Sequence, residues 1–315
     1  MTTPIELTRP GKNPLMVSTP VMPQAGTFGF GDVYGDLIKI EKLGAIVTNP
    51  VTFAPWQPAT GTRVVPFDAG ILVHTGLPNP GLSKIIKMYR KTWAASPVPV
   101  IVHLVATTPD DVERAVEMID AEEALQAVEL GLPDEITWQD AADFTRAAVG
   151  RSEKPVLVRL PLHDAVHIAS AVADAGADAL VIAAPPRGTA RDPLSGRFIG
   201  GRVYSPAVKT MALRFVGLIA RDIHDVPIIG AGGIHSPDDA RDFLMAGARA
   251  VQVGAVTWVQ PKMLEIIARD LGGLVLTRET GALPDEWFPG MGITDRDSRA
   301  PTEPSLSSDN PTDEA

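Results

Sequence analysis

Eight short apolar runs, most of them followed by a helical pattern, organise this chain of 315 residues. They cover residues 14–18, 45–48, 98–104, 127–130, 155–160, 179–183, 226–230 and 250–254. Helical patterns fill 36–43, 82–93, 109–121, 138–148, 164–175, 206–221, 237–246 and 261–270. Near-continuous apolar strands alternating with amphipathic helices predict a parallel sheet covered by helices. Eight repeats favour closure into a (β/α)8 TIM barrel over an open sheet. An open doubly wound sheet would carry its glycine fingerprint after the first strand. Here the glycines follow the last two.

Those two endings are Pro227-Ile228-Ile229-Gly230-Ala231-Gly232-Gly233-Ile234 and Ala250-Val251-Gln252-Val253-Gly254-Ala255. Between them Ser236 reads as an N-cap, Pro237 as the first helical residue, Asp238 and Asp239 as first-turn acids, and Gly247 as the stop. In a (β/α)8 barrel the loops after strands seven and eight commonly bind phosphate. Glycine suits that task because bare backbone N–H groups can approach an anion closely. Ordinary tight turns are the plainer alternative.

A hydrophobic fraction of 45% with only 5% aromatics means that Ala, Val, Ile and Leu fill the interior. No cysteine occurs, which excludes disulfides, thiolate metal sites and a cysteine nucleophile. Histidine spacing gives no metal motif, so no metal is expected. No apolar run approaches the ~18 residues of a membrane span, so a cytoplasmic protein is expected. The net charge of −10 argues against nucleic-acid binding. Residues 1–280 are expected to form the barrel with a short N-terminal extension. Residues 281–315 form an acidic extension, expected to be disordered from about Asp295.

Asn13-Pro14-Leu15-Met16, Ala25-Gly26-Thr27-Phe28-Gly29-Phe30-Gly31 and Lys42-Leu43-Gly44-Ala45-Ile46-Val47-Thr48 together resemble the opening of dihydroorotate dehydrogenases. Gly76-Leu77-Pro78-Asn79-Pro80-Gly81 is similar to their second block. Gly200-Gly201-Arg202-Val203-Tyr204-Ser205-Pro206-Ala207-Val208-Lys209 is similar to their sixth-strand loop and helix. The resemblance spans roughly residues 5–270. It implies an FMN-binding barrel, with the flavin across the C-terminal ends of the strands.

Position by position, the resemblance implies that Ala25, Gly26 and Thr27 run beneath the flavin ring, with residues 20–24 read as an insertion before them. Thr48 and Asn49 fall beside the flavin, Asn49 replacing a lysine. Gly232, Gly233, Gly254 and Ala255 match the phosphate cradle, so a β-branched residue at Gly233 is expected to clash with the phosphate. Gly200, Gly201 and Ser205 match the neighbouring loop; Ser205 replaces a glycine, which requires a negative φ there. Arg159 takes the place of a lysine on the flavin's N1–C2 edge, where a cation favours the anionic reduced form. A salt bridge on the barrel rim is its alternative role.

The family's base, a cysteine or serine on the loop after strand four, has no counterpart: residues 97–151 contain neither. Val73, Gly131 and Ala184 stand where the family's substrate asparagines are expected. The resemblance with these changes predicts an FMN oxidoreductase acting on CH–CH groups of a small-molecule substrate other than dihydroorotate. The alternatives are a genuine dihydroorotate dehydrogenase or its subunit, a non-catalytic flavin or phosphate-ligand binder, and a colourless barrel lyase or isomerase. His74, His103 and His163 fall near strand ends and join Arg159 as catalytic candidates, with a structural role as the alternative for each histidine. A second copy of the chain is the expected protein partner; no membrane partner is expected.

Overall fold

The computed structural model describes residues 4–11 and 14–279. Eight parallel strands, numbered in chain order, form one sheet: β3 (Val21–Pro23), β14 (Ala250–Val253), β13 (Ile228–Ala231), β10 (Ala179–Ile182), β9 (Val156–Leu160), β8 (Ala127–Gly131), β7 (Val100–Val105) and β4 (Ile46–Val47). No ladder joins β3 to β4. The gap is bridged by the Gly44 N–H donating to the Val21 carbonyl at 2.8 Å, so the sheet is a nearly closed barrel. A Cβ on Gly44 would sit 2.1 Å from the Thr19 carbonyl oxygen, so glycine is required for this approach.

Helices α1 (Leu82–Ala94), α2 (Pro109–Asp120), α3 (Trp138–Val149), α4 (Ala165–Asp174), α5 (Val208–Asp222), α6 (Pro237–Met245), α7 (Val256–Val259) and α8 (Met263–Glu279) follow the strands. Thr108, Thr137 and Ser236 cap α2, α3 and α6 by accepting from the N–H of the residue three places on. The larger core lies between strands and helices, with Val102, Val116, Val158, Ile168 and Phe243 among its members. A second core fills the barrel axis and includes Val47, Ile101, Ala127, Leu157, Val181, Ile229 and Ala250. Small alanines at the strand starts leave room for Leu7, Leu15 and Val17, which plug the bottom of the barrel.

Three sequence expectations are corrected. Residues 14–18 do not supply a barrel strand: β2 (Met16–Val17) pairs antiparallel with β1 (Ile5–Glu6) beneath the barrel. The first barrel strand is β3, inside the segment read as an insertion. Its prolines hid it, since proline donates no ladder bond. The pairing instead uses the Pro20 carbonyl, which accepts from Val251 N–H, and the Gln24 N–H, which donates to Val253 O, each at 2.8 Å. The expected helix over 36–43 is a single 3-10 turn at Ile40–Lys42. Its eight residues lie between Gly35 and Gly44, and only Ile38 and Leu43 are buried, too little to offset helix nucleation.

The segments after β4 and β10 build a second, antiparallel sheet over the C-terminal mouth, in the order β11 (Arg187–Arg191), β12 (Phe198–Tyr204), β6 (Gly70–Val73), β5 (Val64–Phe67). The segment after β10, with Arg187, Arg191 and Arg197, is therefore a hairpin. Asp134, on the segment after β8, holds it to the barrel through Arg187 at 2.9 Å and Arg202 at 2.7 Å. Among the described residues no helix is long and apolar enough to cross a membrane, and no acid–histidine cluster could hold a metal. The expected disorder beyond Asp295 lies outside the described residues.

Candidate active site

Side chains alternate along a strand. Ile101, Ala127, Leu157 and Ala250 belong to the axial core, so the residues two steps further on also face the axis. They are His103, Glu129, Arg159 and Gln252, each the lone polar residue of an apolar strand. All four are buried, Glu129 and Gln252 completely. Register places His103 directly opposite Glu129, and Arg159 opposite Gly131, one inward step above Glu129.

These four residues form a closed network. The Glu129 carboxylate is 2.8 Å from His103 Nδ1 and accepts from Arg159 Nε at 2.8 Å. Its other oxygen accepts from Gln252 Nε2, and Gln252 Oε1 accepts from Arg159. Burial alone would raise the Glu129 pKa, but the Arg159 charge and the bonds from His103 and Gln252 outweigh it and hold it at about 2. Burial pushes His103 below the usual histidine value, against the opposing pull of Glu129. Near neutral pH the network therefore contains a carboxylate, a guanidinium and a neutral imidazole. An anionic Glu129 can only accept, so His103 donates from Nδ1 and its Nε2 carries the lone pair.

One step nearer the mouth the inward positions are Gln24, Asn49, Gly131 and Gly254. Gln24 Nε2 and Asn49 Oδ1 are buried without a partner, as is Thr257 Oγ1, three residues after Gly254. Unpaired buried polar atoms are rare and costly, on the order of 1–3 kcal/mol each. These three lie where β3, β4 and β14 end, beside the loop of β13. A ligand that offers oxygens to Gln24 and Thr257 and an N–H or O–H donor to Asn49 suits them, and FMN carries both kinds of group.

The other expected site residues are placed as follows. Ala25 and Thr27 are buried after β3, with the Thr27 hydroxyl donating to Gln24 O at 2.7 Å; Gly26 has φ 87°. The Thr48 hydroxyl accepts from His103 N–H at 3.1 Å and so braces the network. Arg159 lies inside the barrel, with its partner also buried rather than on the rim. Gly200 and Gly201 belong to β12 in the roof, and a Cβ on Gly201 would meet Val73 O at 2.6 Å. Ser205 is buried and is not among the positive-φ residues, which besides glycines are Leu77 and Glu135 within the described residues. Gly232 and Gly233 follow β13, adjacent to Gly254 and Ala255 after β14. His74 is half-buried at the end of β6, with its N–H donating to Arg63 O, and His163 is exposed after β9.

Glu129 and Gln252 were not singled out from the sequence. The available signal was a polar residue interrupting an apolar strand, the same pattern as His103 and Arg159.

The glycines divide by cause. Gly233 has φ 68°, and a Cβ there would meet Lys209 N at 2.5 Å and Pro206 O at 2.7 Å. A Gly233→Val protein therefore clashes with its own backbone whether or not a phosphate is bound, so it does not probe the phosphate. Gly254 is the cleaner probe, because its Cβ would meet only the Gln24 side chain, with Oε1 at 2.2 Å. We expect Gly254→Ala to fold, displace Gln24 and weaken FMN binding roughly tenfold, the worth of about 1.4 kcal/mol for a lost hydrogen bond. Fluorescence titration of the apoprotein with FMN measures this; unchanged affinity would remove Gln24 and Gly254 from the cofactor site.

The family model for dihydroorotate dehydrogenase matches residues 14–275. Among curated proteins the chain is similar to the dihydroorotate dehydrogenase B (NAD(+)) catalytic subunit of Trichlorobacter lovleyi. The two are 31% identical over 298 residues, covering 89% of this chain and 93% of that protein. The protein of the same name from Desulforamulus reducens is 33% identical over 77% of this chain and 84% of its own length. That from Cutibacterium acnes is 31% identical over 90% and 97%.

Proposed function

The chain belongs to the dihydroorotate dehydrogenase family, and on that premise we propose that it is an FMN-dependent oxidoreductase that desaturates a CH–CH bond. The observation that supports this most is the set of orphaned polar groups, Gln24 Nε2, Asn49 Oδ1 and Thr257 Oγ1, around the glycine-ended strands at the mouth. When bound, FMN supplies the two-electron acceptor. Gln24, Asn49 and Thr257 would bond its polar edges, and the backbone at Gly232, Gly254 and Ala255 would face its phosphate. Arg159 would supply a cation, partly balanced by Glu129.

The relatives' names make dihydroorotate the first substrate to consider, and they support it better than the sequence expectation of a different one. Those names also describe a catalytic subunit, so a second protein that passes electrons to NAD+ belongs to this reading. A different CH–CH substrate is the second reading. It is favoured by Val73, Gly131 and Ala184 at the mouth and by the absence of Ser and Cys from residues 132–136.

One experiment separates them. The purified protein is expected to be yellow, with one FMN per chain, and anaerobic dihydroorotate is expected to bleach it. Bound FMN that dihydroorotate leaves oxidised would support the second reading, and a colourless protein that takes up no FMN would remove both.

A further inference from the structure

Removing two hydrogens from adjacent carbons, with hydride as one of them, leaves a proton that needs an acceptor. The mouth contains no cysteine, and residues 132–136 contain no serine. Gly131 ends β8 at this level, and a Cβ built on it would lie 2.7 Å from His103 Nε2 and 2.8 Å from Cε1. The imidazole thus occupies the space that a side chain at position 131 would take. Its Nδ1 is held by Glu129 at 2.8 Å, and no described residue hydrogen-bonds its Nε2. Nε2 is not among the buried unpaired atoms, so it is open at the mouth, where a substrate could reach it.

Resting on the reading above, we propose that His103 is the general base of this site, positioned by Glu129 and admitted by the missing side chain of Gly131. In the balanced step a hydride leaves one substrate carbon for the flavin. The adjacent C–H bond breaks, its electron pair forms the C=C bond, and its proton goes to His103 Nε2. The resulting imidazolium donates from Nδ1 to the Glu129 carboxylate, which stays ionised because Arg159 and Gln252 also bond it. Glu129 is a positioning residue: it fixes the tautomer and stabilises the cation. The charged groups acting on the ring are Glu129 from β8, Arg159 from β9 and Arg202 from the roof strand β12.

Two measurements on the full chain test this. In 15N-histidine-labelled protein at neutral pH, the imidazole NMR signal that is missing from the spectrum of His103→Gln is expected to show its proton on Nδ1 and a bare Nε2. A proton on Nε2 would overturn the proposal, whatever the substrate. With anaerobic dihydroorotate as probe, His103→Gln is expected to bleach bound flavin at least about 100-fold more slowly than the unmodified chain. Glutamine retains a donor for Glu129 but offers no base, and His103→Asn serves if the glutamine variant fails to fold. Equal bleaching rates with intact FMN binding would also overturn it. If dihydroorotate fails to bleach even the unmodified protein, the dihydroorotate reading falls, and the NMR result alone decides for His103.

Discussion

Replacing Arg159 with methionine is expected to cost about 3–5 kcal/mol of stability, because it leaves the Glu129 carboxylate buried without its cation. Urea unfolding of the two proteins measures this. A rim salt bridge would cost at most about 1 kcal/mol, so an effect that small would contradict the burial of the pair. Stability alone does not connect Arg159 to the cofactor, since the ion pair explains it without one. The flavin midpoint potential does. A unit charge a few ångströms away at an effective dielectric near 20 contributes up to ~4 kcal/mol, and Glu129 offsets part of it. At about 30 mV per 1.4 kcal/mol for a two-electron couple, the midpoint of Arg159→Met should fall by some tens of millivolts. An unshifted midpoint in protein that still binds FMN would separate Arg159 from the flavin.

Acid should weaken the fold in two stages. The folded pKa of His103 lies below the ordinary 6.5. Below that pH the unfolded chain takes up a proton that folded His103 declines, so stability begins to fall. Glu129 is held at about 2 against an ordinary 4.5. Its contribution is complete above 4.5 and is lost as pH falls toward 2. At about 1.4 kcal/mol per pKa unit this second stage is on the order of 3 kcal/mol. In both stages folding releases protons, so stability rises with pH. The urea midpoint of Glu129→Gln should lie lower near neutral pH, run flatter between pH 4.5 and 2, and approach that of the unmodified chain toward pH 2. Parallel curves for the two proteins would show that Glu129 does not carry the acid sensitivity.

The barrel was legible because its strands are apolar on both faces and its helices carry ordinary caps: Ser236-Pro237-Asp238 announces α6 before any packing is known. What was hidden depends on contacts distant in sequence. Val21-Met22-Pro23 is too short, and too rich in proline around it, to read as a strand; only its parallel register with β14, far away in sequence, makes it one. The roof sheet was hidden because β12 joins β6, more than a hundred residues earlier. His103 and Arg159 drew attention by residue type, but Glu129 and Gln252 matter only through the register that brings four strands to one layer. The vacancy at Gly131 was visible as a missing asparagine. That an imidazole fills it follows only from geometry.

The seam between β3 and β4 has a thermodynamic consequence. Elsewhere adjacent barrel strands are laddered, but here the backbone supplies the Gly44–Val21 bond and, at the mouth, one from Asn49 N–H to Gly29 O at 2.7 Å. Gln24 follows β3 and Asn49 follows β4, and each carries an unpaired buried group at the mouth. A ligand bonded to both would span the seam as a missing rung. Because a barrel opened at that seam would hold such a ligand poorly, cofactor loading and barrel closure become linked equilibria, and each stabilises the other by mass action. Holoprotein and apoprotein would then differ most in how readily this one edge comes apart.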